Sequence, residues 1–274
     1  YGDHRDLHSF PTRPLFRSYE RLVKLFKNDF TFRMGLGEQY YKLKQYNNAL
    51  EHFKEAYQIN KHFSAELAIA RTLYASGNQE EAGKHYLAGI SKLNVNERLH
   101  HPEVFFNLAA IKRSQGELKE ALAHYEEALA GIKQNTFTDR FIHYKNMLAE
   151  IYQQLSSINL YAGRYREAFN WLIEARIFDP ANRYQYDNLI GDILLLNSRF
   201  RYAITYYKDA LKLNSTDPKL YYKIAVCYSE INQPRRALKL LQHLDGHVRG
   251  RMETEPLLLL GDIYLKLKDY SSAY

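Results

Sequence analysis

The sequence predicts an all-α fold made of antiparallel helix pairs repeated along the chain. Apolar residues recur at helical spacing, and no alternating apolar and polar run is long enough to indicate a sheet. Small residues also recur about every 34 residues, with steps of 33, 39, 47, 35, 34 and 36. Self-similarity at such a period is typical of a solenoid, in which each unit packs on its neighbours. The recurring small residues are Gly37, Ala70, Ala109, Ser156, Gly191, Ala225 and Gly261.

Each repeat is predicted to contain a first helix (helix A) and a second helix (helix B). In the first repeat, helix A covers about residues 32–43 and helix B about residues 46–58. The small residue of helix A allows a close approach of helix B, and an alanine near the start of helix B does the same from the other side. These alanines are Ala49, Ala82, Ala121, Ala168, Ala203, Ala237 and Ala273. Large residues one turn later are predicted to fill the gap to the next repeat: Phe53, Tyr86, Tyr125, Leu172, Tyr207 and Leu241.

Turn residues mark where the helices end and begin. Gly77, Gly116 and Gly163 fall between helices A and B, where glycine adopts the left-handed conformation without steric penalty. Pro102 and Pro218 stand where the next helix A is expected to begin, which suits the first helical turn.

Two steps exceed the period and predict local departures from a regular array. The 39-residue step adds about five residues near 94–101, and the 47-residue step adds about thirteen over 133–150. The second insertion is rich in apolar residues, so we expect an extended helix A with a longer preceding loop. An irregular junction between repeats is the alternative.

The first repeat also carries a recognisable motif: Leu36-Gly37, Tyr40, Tyr46, Ala49, Phe53 and Ala56. This pattern resembles the tetratricopeptide repeat family over about residues 30–274. The resemblance implies a right-handed superhelical solenoid with about six full repeats and partial repeats at both ends. The expected repeats lie near 30–62, 63–98, 102–135, 138–182, 184–217, 218–250 and 254–274, the last one partial. Residues 1–29 form an N-terminal segment whose helix resembles helix B of a preceding or degenerate repeat, and we expect the chain to be a piece of a longer protein.

Composition excludes several classes of function. The net charge of +7, from 38 basic and 31 acidic residues, is spread along the chain with no run of five Lys or Arg, so it is too diffuse to indicate a nucleic-acid-binding protein. The single cysteine, Cys227, excludes an intramolecular disulfide, and no apolar stretch approaches the ~18 residues that span a bilayer. The cytoplasm and the periplasm or cell envelope are both compatible with this composition.

Motifs that carry catalysis or hold a metal are not found in the sequence. Gly35-Leu36-Gly37 begins like a phosphate-binding loop but lacks the last glycine and a preceding strand. His100, His101 and Glu103 are better explained as a surface turn than as metal ligands. We therefore expect a protein that is not an enzyme and needs no cofactor.

The family resemblance implies that helices A line a concave groove that binds a partner. Tyr, Phe and Arg are frequent anchors of interfaces, so a peptide or helix of acidic or aromatic character is the expected ligand. The alternative is that several of these rings only pack between repeats. The candidate groove residues are Tyr41, Arg71, Tyr74, Phe106, Arg113, Tyr161, Asn188 and Tyr222.

One function known in the family is disfavoured. Members that bind chaperone tails use Lys, Asn and Arg side chains as a two-carboxylate clamp, and Lys219 and Lys223 match its last pair. The positions expected to complete the clamp hold other residues: Met34, Glu38, Gln153, Ser157 and Leu189. The prediction is a protein-protein interaction scaffold or adaptor within a larger assembly. The alternatives are an RNA-binding protein of a ribonucleoprotein and a self-associating structural component.

Overall fold

The computed structural model describes residues 13–134, 140–248 and 254–267, and these residues form fifteen α-helices and no β-strand. The all-α prediction is therefore confirmed. The chain divides into two compact units, residues 1–138 and 139–274. The first contains α1 (Arg13–Leu25), α2 (Phe30–Lys42), α3 (Tyr46–Ile59), α4 (Phe63–Ala75), α5 (Gln79–Ser91), α6 (Val95–Arg98), α7 (Pro102–Ser114) and α8 (Leu118–Gln134). The second contains α9 (Arg140–Tyr161), α10 (Tyr165–Phe178), α11 (Arg183–Leu196), α12 (Phe200–Leu213), α13 (Pro218–Glu230), α14 (Pro234–Val248) and α15 (Thr254–Lys266).

Within each unit the helices form hairpins that stack on one another. In the first unit α2 pairs with α3, α4 with α5 and α7 with α8; in the second α9 pairs with α10, α11 with α12 and α13 with α14. Helix α1 packs on α2, where the Phe16 and Tyr40 ring centroids are 5.0 Å apart. The division into seven repeats stays a prediction, and Ala273 lies outside the described residues.

Small residues set the distance between the two helices of a hairpin, as the sequence predicts. A Cβ atom on Gly37 would lie 2.6 Å from the Phe53 ring, and one on Gly191 would lie 2.3 Å from the Tyr207 ring. The large residues thus cover the small residue of their own hairpin, which the sequence-based interpretation did not include. They also reach the next hairpin: Asn107 Nδ2 on α7 donates a hydrogen bond to the Tyr86 hydroxyl at 2.9 Å.

Every one of the six hairpin turns contains a residue with positive φ, seven positions after the small residue of helix A. Three are the predicted glycines Gly77, Gly116 and Gly163, with φ of 91°, 80° and 72°. The other three are not glycine: Lys44, Ser198 and Asn232, with φ of 59°, 55° and 57°. The repeat therefore imposes one turn geometry, and two of the turns meet it with residues that rarely adopt it, Lys44 and Ser198.

Both insertions contribute helical residues. The first forms α6, a single turn closed by a capping box in which Asn94 and Glu97 each accept a backbone N–H from the other. The second insertion lengthens the two helices beside it: α8 has 17 residues and α9 has 22, whereas α7 has 13. The expected extension of helix A is thus present, and α8 takes up part of the insertion assigned to a loop.

Candidate functional site

An open pocket of about 210 Å³ lies in the first unit, where helices α2, α4 and α7 present one face each. These are the first helices of three successive hairpins. Their lining residues follow helical spacing, as with Met34 and Glu38 on α2 or Leu67 and Arg71 on α4, so each helix contributes one stripe. The apolar lining consists of Met34, Phe63, Leu67, Ala68, Tyr86 and Val104, and the polar lining of Glu38, Ser64, Arg71, His101, Glu103 and Asn107.

The base of the pocket is neutral and firmly held. Tyr86 comes from α5, is 1% exposed, and receives the hydrogen bond from Asn107. Burial raises the pKa of the Tyr86 hydroxyl above its ordinary value, against the hydrogen bond from Asn107 that lowers it. The phenol therefore stays uncharged at any physiological pH.

The one arginine of the pocket is already paired. Arg71 Nη2 lies 2.5 Å from Glu38 Oε1, and the guanidinium carbon lies 4.3 Å from the centroid of the Tyr41 ring. Burial raises the pKa of Tyr41, although the charge of Arg71 opposes the shift. Glu38 neutralises Arg71, and the other acid of the lining, Glu103, lies 3.5 Å from His101 Nδ1.

The predicted groove residues of the first unit are only partly assembled around this pocket. Arg71 lines it and Tyr41 contacts Arg71. Tyr74 is half-buried and Phe106 packs on Tyr125 with ring centroids 6.0 Å apart, while Arg113 is exposed to solvent. These three are not lining residues, so their role in binding stays a prediction. The lining residues that the sequence analysis did not consider at all are Phe63, Ser64, Ala68, Val104 and Asn107.

In the second unit, Asn188 belongs to a polar network between α11, α12 and α13. Lys223 Nζ donates to Asn188 Oδ1 at 2.8 Å and lies 2.6 Å from Asp192 Oδ1, which also accepts from the Tyr207 hydroxyl at 2.7 Å. Tyr222, next to Lys223, is half-buried, whereas Tyr161 at the end of α9 is 84% exposed. Since Asp192 neutralises Lys223, this lysine does not offer a free charge to a partner's carboxylate, which adds to the argument against a chaperone clamp.

Two buried carboxylates were missed by sequence reasoning. Glu66 is 5% exposed and lies 2.6 Å from His85 Nδ1, and Asp187 is fully buried with its Oδ1 2.7 Å from Arg176 Nε. Both stand four residues before the small residue of helix A, at Ala70 and Gly191. An acid at the same repeat position in two repeats is the signal that could have revealed them.

Metal sites and membrane-spanning helices are not found in the described parts of the chain. Residues 13–134, 140–248 and 254–267 contain no group of three or more His, Cys, Asp or Glu placed to hold a metal ion. None of the helices in these ranges is long and apolar enough to cross a membrane. Cys227 is fully buried, and burial, assisted by Glu230 and Asp192, raises the pKa of its thiol to about 12, so it is a poor nucleophile.

Repeated hairpins held by small residues, with a face of first helices lining a pocket, define an α-helical repeat protein. The comparison with family models identifies which one: tetratricopeptide repeat models match residues 17–64, 107–134 and 194–251. The chain belongs to the tetratricopeptide repeat family.

Relatives by sequence are long proteins of which this chain covers a minor part. The chain is 22% identical to BBSome complex member BBS4 of Bos taurus over 256 residues, which is 93% of this chain and 39% of that protein. It is 28% identical to Protein CTR9 homolog of Arabidopsis thaliana over 129 residues, covering 46% of this chain and 10% of that protein.

Solved structures with the same fold are distant in sequence. The C-terminal part of a TPR repeat-containing protein from Cytophaga hutchinsonii gives a TM-score of 0.63 at 13% identity, covering 89% of this chain and 93% of the other. YrrB, described as a TPR protein with an unusual peptide-binding site, gives 0.57 at 15% identity, covering 76% and 97%. At these identities the likeness establishes the solenoid fold and nothing finer.

Proposed function

We propose that the chain is a non-enzymatic interaction scaffold that holds a segment of a partner protein against α2, α4 and α7. The observation that carries this proposal is the pocket, which is open, mostly apolar and built from three successive first helices. Helices that are already packed in place lose little freedom on binding, which favours affinity. The similarity to BBS4, a protein described as a BBSome complex member, supports a place in a multi-subunit assembly.

The chemistry of the pocket indicates which segment would fit. Its apolar lining favours an aliphatic or aromatic anchor side chain. Glu38 pairs with Arg71, and Glu103 lies 3.5 Å from His101 Nδ1, so both acids of the lining already have a basic neighbour. The segment we propose therefore carries an apolar anchor beside a neutral residue, because Arg71 is not free to bind an acidic one.

A displayed library of random peptides, selected on the chain and read out with a fluorescein-labelled binder, tests this proposal. Met34→Glu places a charge among the apolar lining residues and is expected to weaken the peptide by about tenfold or more, since burying an unpaired charge is unfavourable. Thr31→Glu is the matched control: it adds the same charge to an exposed site on the same helix. Equal affinities of the two variants would contradict the assignment of the pocket.

The two alternatives named from the sequence have distinct outcomes in the same preparation. If the chain binds RNA instead, its affinity for oligouridylate should fall steeply as the salt concentration rises and should not change with Met34→Glu. Self-association would appear as a rise of molar mass with concentration in light scattering. Either result, together with the failure to select any peptide, would replace the proposed function.

A further inference from the structure

Cations stacked over tyrosine rings occur six times among the described residues, and four of these cations also hold a carboxylate. The four ion pairs are Arg71 with Glu38, Lys92 with Glu66, Arg176 with Asp187 and Lys223 with Asp192. The exceptions are Lys208 and Arg236. Both lie at the same ring, that of Tyr228.

The Tyr228 ring joins three helices of the second unit. Tyr228 lies on α13 and is 8% exposed, Lys208 comes from α12, and Arg236 comes from α14. Lys208 Nζ is 5.6 Å from the ring centroid and 3.1 Å from the hydroxyl oxygen, and the guanidinium carbon of Arg236 is 5.7 Å from the centroid. Both cationic residues are exposed.

Neither cation has an acidic partner in the part of the chain that the structure describes. The acid next to Lys208 in sequence, Asp209, is held by Lys212 at 2.6 Å. Lys208 at the hydroxyl of Tyr228 and Arg236 near its ring are therefore two like charges at one residue, without a counter-charge among the described residues. An electron-rich ring face attracts a cation, but it does not neutralise it.

We propose that Lys208 and Arg236 bind a carboxylate from an acidic segment of a partner protein. A carboxylate between them would complete the arrangement of cation, tyrosine and acid that the other four contacts already show. Arg201 lies seven residues before Lys208 on α12, so it extends the positive face along the helix toward further acidic residues of the segment. This surface is separate from the pocket of the first unit and does not depend on the function proposed for it.

The ring geometry favours an acidic protein segment over a nucleic acid. Proteins that bind single strands without sequence preference stack bases on exposed aromatic rings. The Tyr228 ring is almost fully covered, so it orients the cations but offers no free face to a base.

A fluorescein-labelled peptide of ten glutamates is the probe that tests this site, with binding to the chain followed by anisotropy at fixed salt. Lys208→Gln/Arg236→Gln is expected to weaken the probe by about tenfold, the loss that corresponds to one charge-assisted contact. Arg235→Gln/Lys239→Gln is the matched control, because it removes the same charge from exposed positions of α14 that do not stack on Tyr228. The control is expected to lower the affinity for the peptide by less than about threefold, which is the part due to the overall positive charge of the chain.

Three results would overturn the proposal. The first is that decaglutamate does not bind, and the second is that the two double variants lose affinity equally, which would indicate diffuse attraction by the net charge. The third is that a ten-residue oligouridylate binds more tightly than decaglutamate and is lost with Lys208→Gln/Arg236→Gln, since the site would then serve phosphates. Unchanged circular dichroism and melting temperatures of both variants confirm that only surface charge has changed.

Discussion

The hairpins α4/α5 and α11/α12 bury an acid at the same repeat position but hold it with different partners. Glu66 is bound by His85 at 2.6 Å and by Lys92 at 3.7 Å, whereas Asp187 is bound by Arg176 at 2.7 Å and Arg183 at 3.3 Å. The repeat thus determines where a carboxylate can be buried, and the neighbouring helices determine what neutralises it. Arginine remains charged throughout the usual pH range, so the two sites are expected to differ in strength and in response to pH.

The largest expected effect comes from removing the more deeply buried acid. Asp187→Ala leaves Arg176 beside an empty space, and breaking one side of a buried ion pair typically costs about 3–5 kcal/mol. Arg176 keeps a quarter of its side chain exposed, so we expect the lower end, about 3 kcal/mol, in the free energy of unfolding. Urea denaturation followed by circular dichroism measures it.

Asp209→Ala is the control for Asp187→Ala. It removes an acid of the same hairpin whose partner, Lys212, is 75% exposed, and such surface pairs contribute less than about 1 kcal/mol. Similar losses for the two variants would mean that burial does not distinguish the sites. Arg176 holds Asp187 through two contacts, with Nε 2.7 Å from Oδ1 and Nη2 donating to Oδ2 at 3.5 Å.

The two hairpins also differ at the small residue itself, which is Ala70 in α4 and Gly191 in α11. A Cβ atom on Gly191 would lie 2.3 Å from the ring of Tyr207, whose hydroxyl is anchored to Asp192. Gly191→Ala is therefore expected to destabilise the protein by about 1–3 kcal/mol through overpacking. The thermal unfolding midpoint should fall accordingly.

Gly83→Ala provides the matched comparison for Gly191→Ala. Its Cβ atom would meet Ile111 at 3.8 Å, an ordinary contact, within helix α5. Alanine is favoured over glycine in a helix by about 1 kcal/mol, so this variant should be more stable than the wild type. If both variants moved in the same direction, the close approach of Tyr207 would not be what makes glycine necessary at 191.

The features that recur in every repeat could be predicted from the sequence, whereas the features specific to one repeat could not. Helical hairpins, buried small residues and the turns at Gly77, Gly116 and Gly163 follow from local preferences that recur. Lys44 and Ser198 also adopt the left-handed conformation, but neither residue type favours it. Local sequence therefore could not predict these two turns, because tertiary packing imposes their geometry.

The candidate site was predictable in outline only. The resemblance indicated that first helices would line a groove, and it placed Arg71 there. It did not show that Glu38, 33 positions away, neutralises Arg71, because partners on different hairpins are determined by the stacking and not by the local sequence. The same holds for Lys208 and Arg236, whose common neighbour Tyr228 lies on a third helix.

The prediction that separates the two buried acids by pH comes from Glu66→Gln. Burial raises the pKa of Glu66, but hydrogen bonds from His85 and Tyr57 and the charges of His85 and Lys92 outweigh it and hold the pKa below the ordinary 4.5. A carboxyl with a depressed pKa in the folded state stabilises the protein above the unfolded value and loses that contribution as the pH falls through the folded value. At pH 7 the free energy of unfolding of the wild type should exceed that of Glu66→Gln by about 2 kcal/mol, a typical contribution of a hydrogen bond to a charged group.

Below pH 4.5 this difference between wild type and Glu66→Gln should shrink, because the wild-type carboxyl then becomes protonated and neutral like the amide. Urea unfolding of both proteins at several pH values between 7 and 3 measures the difference directly. Glu126→Gln, which changes an exposed acid on α8, should stay close to the wild type over the whole range. A difference that persists undiminished at pH 3 would show that Glu66→Gln acts through packing, and the ionic role of Glu66 would then have to be abandoned.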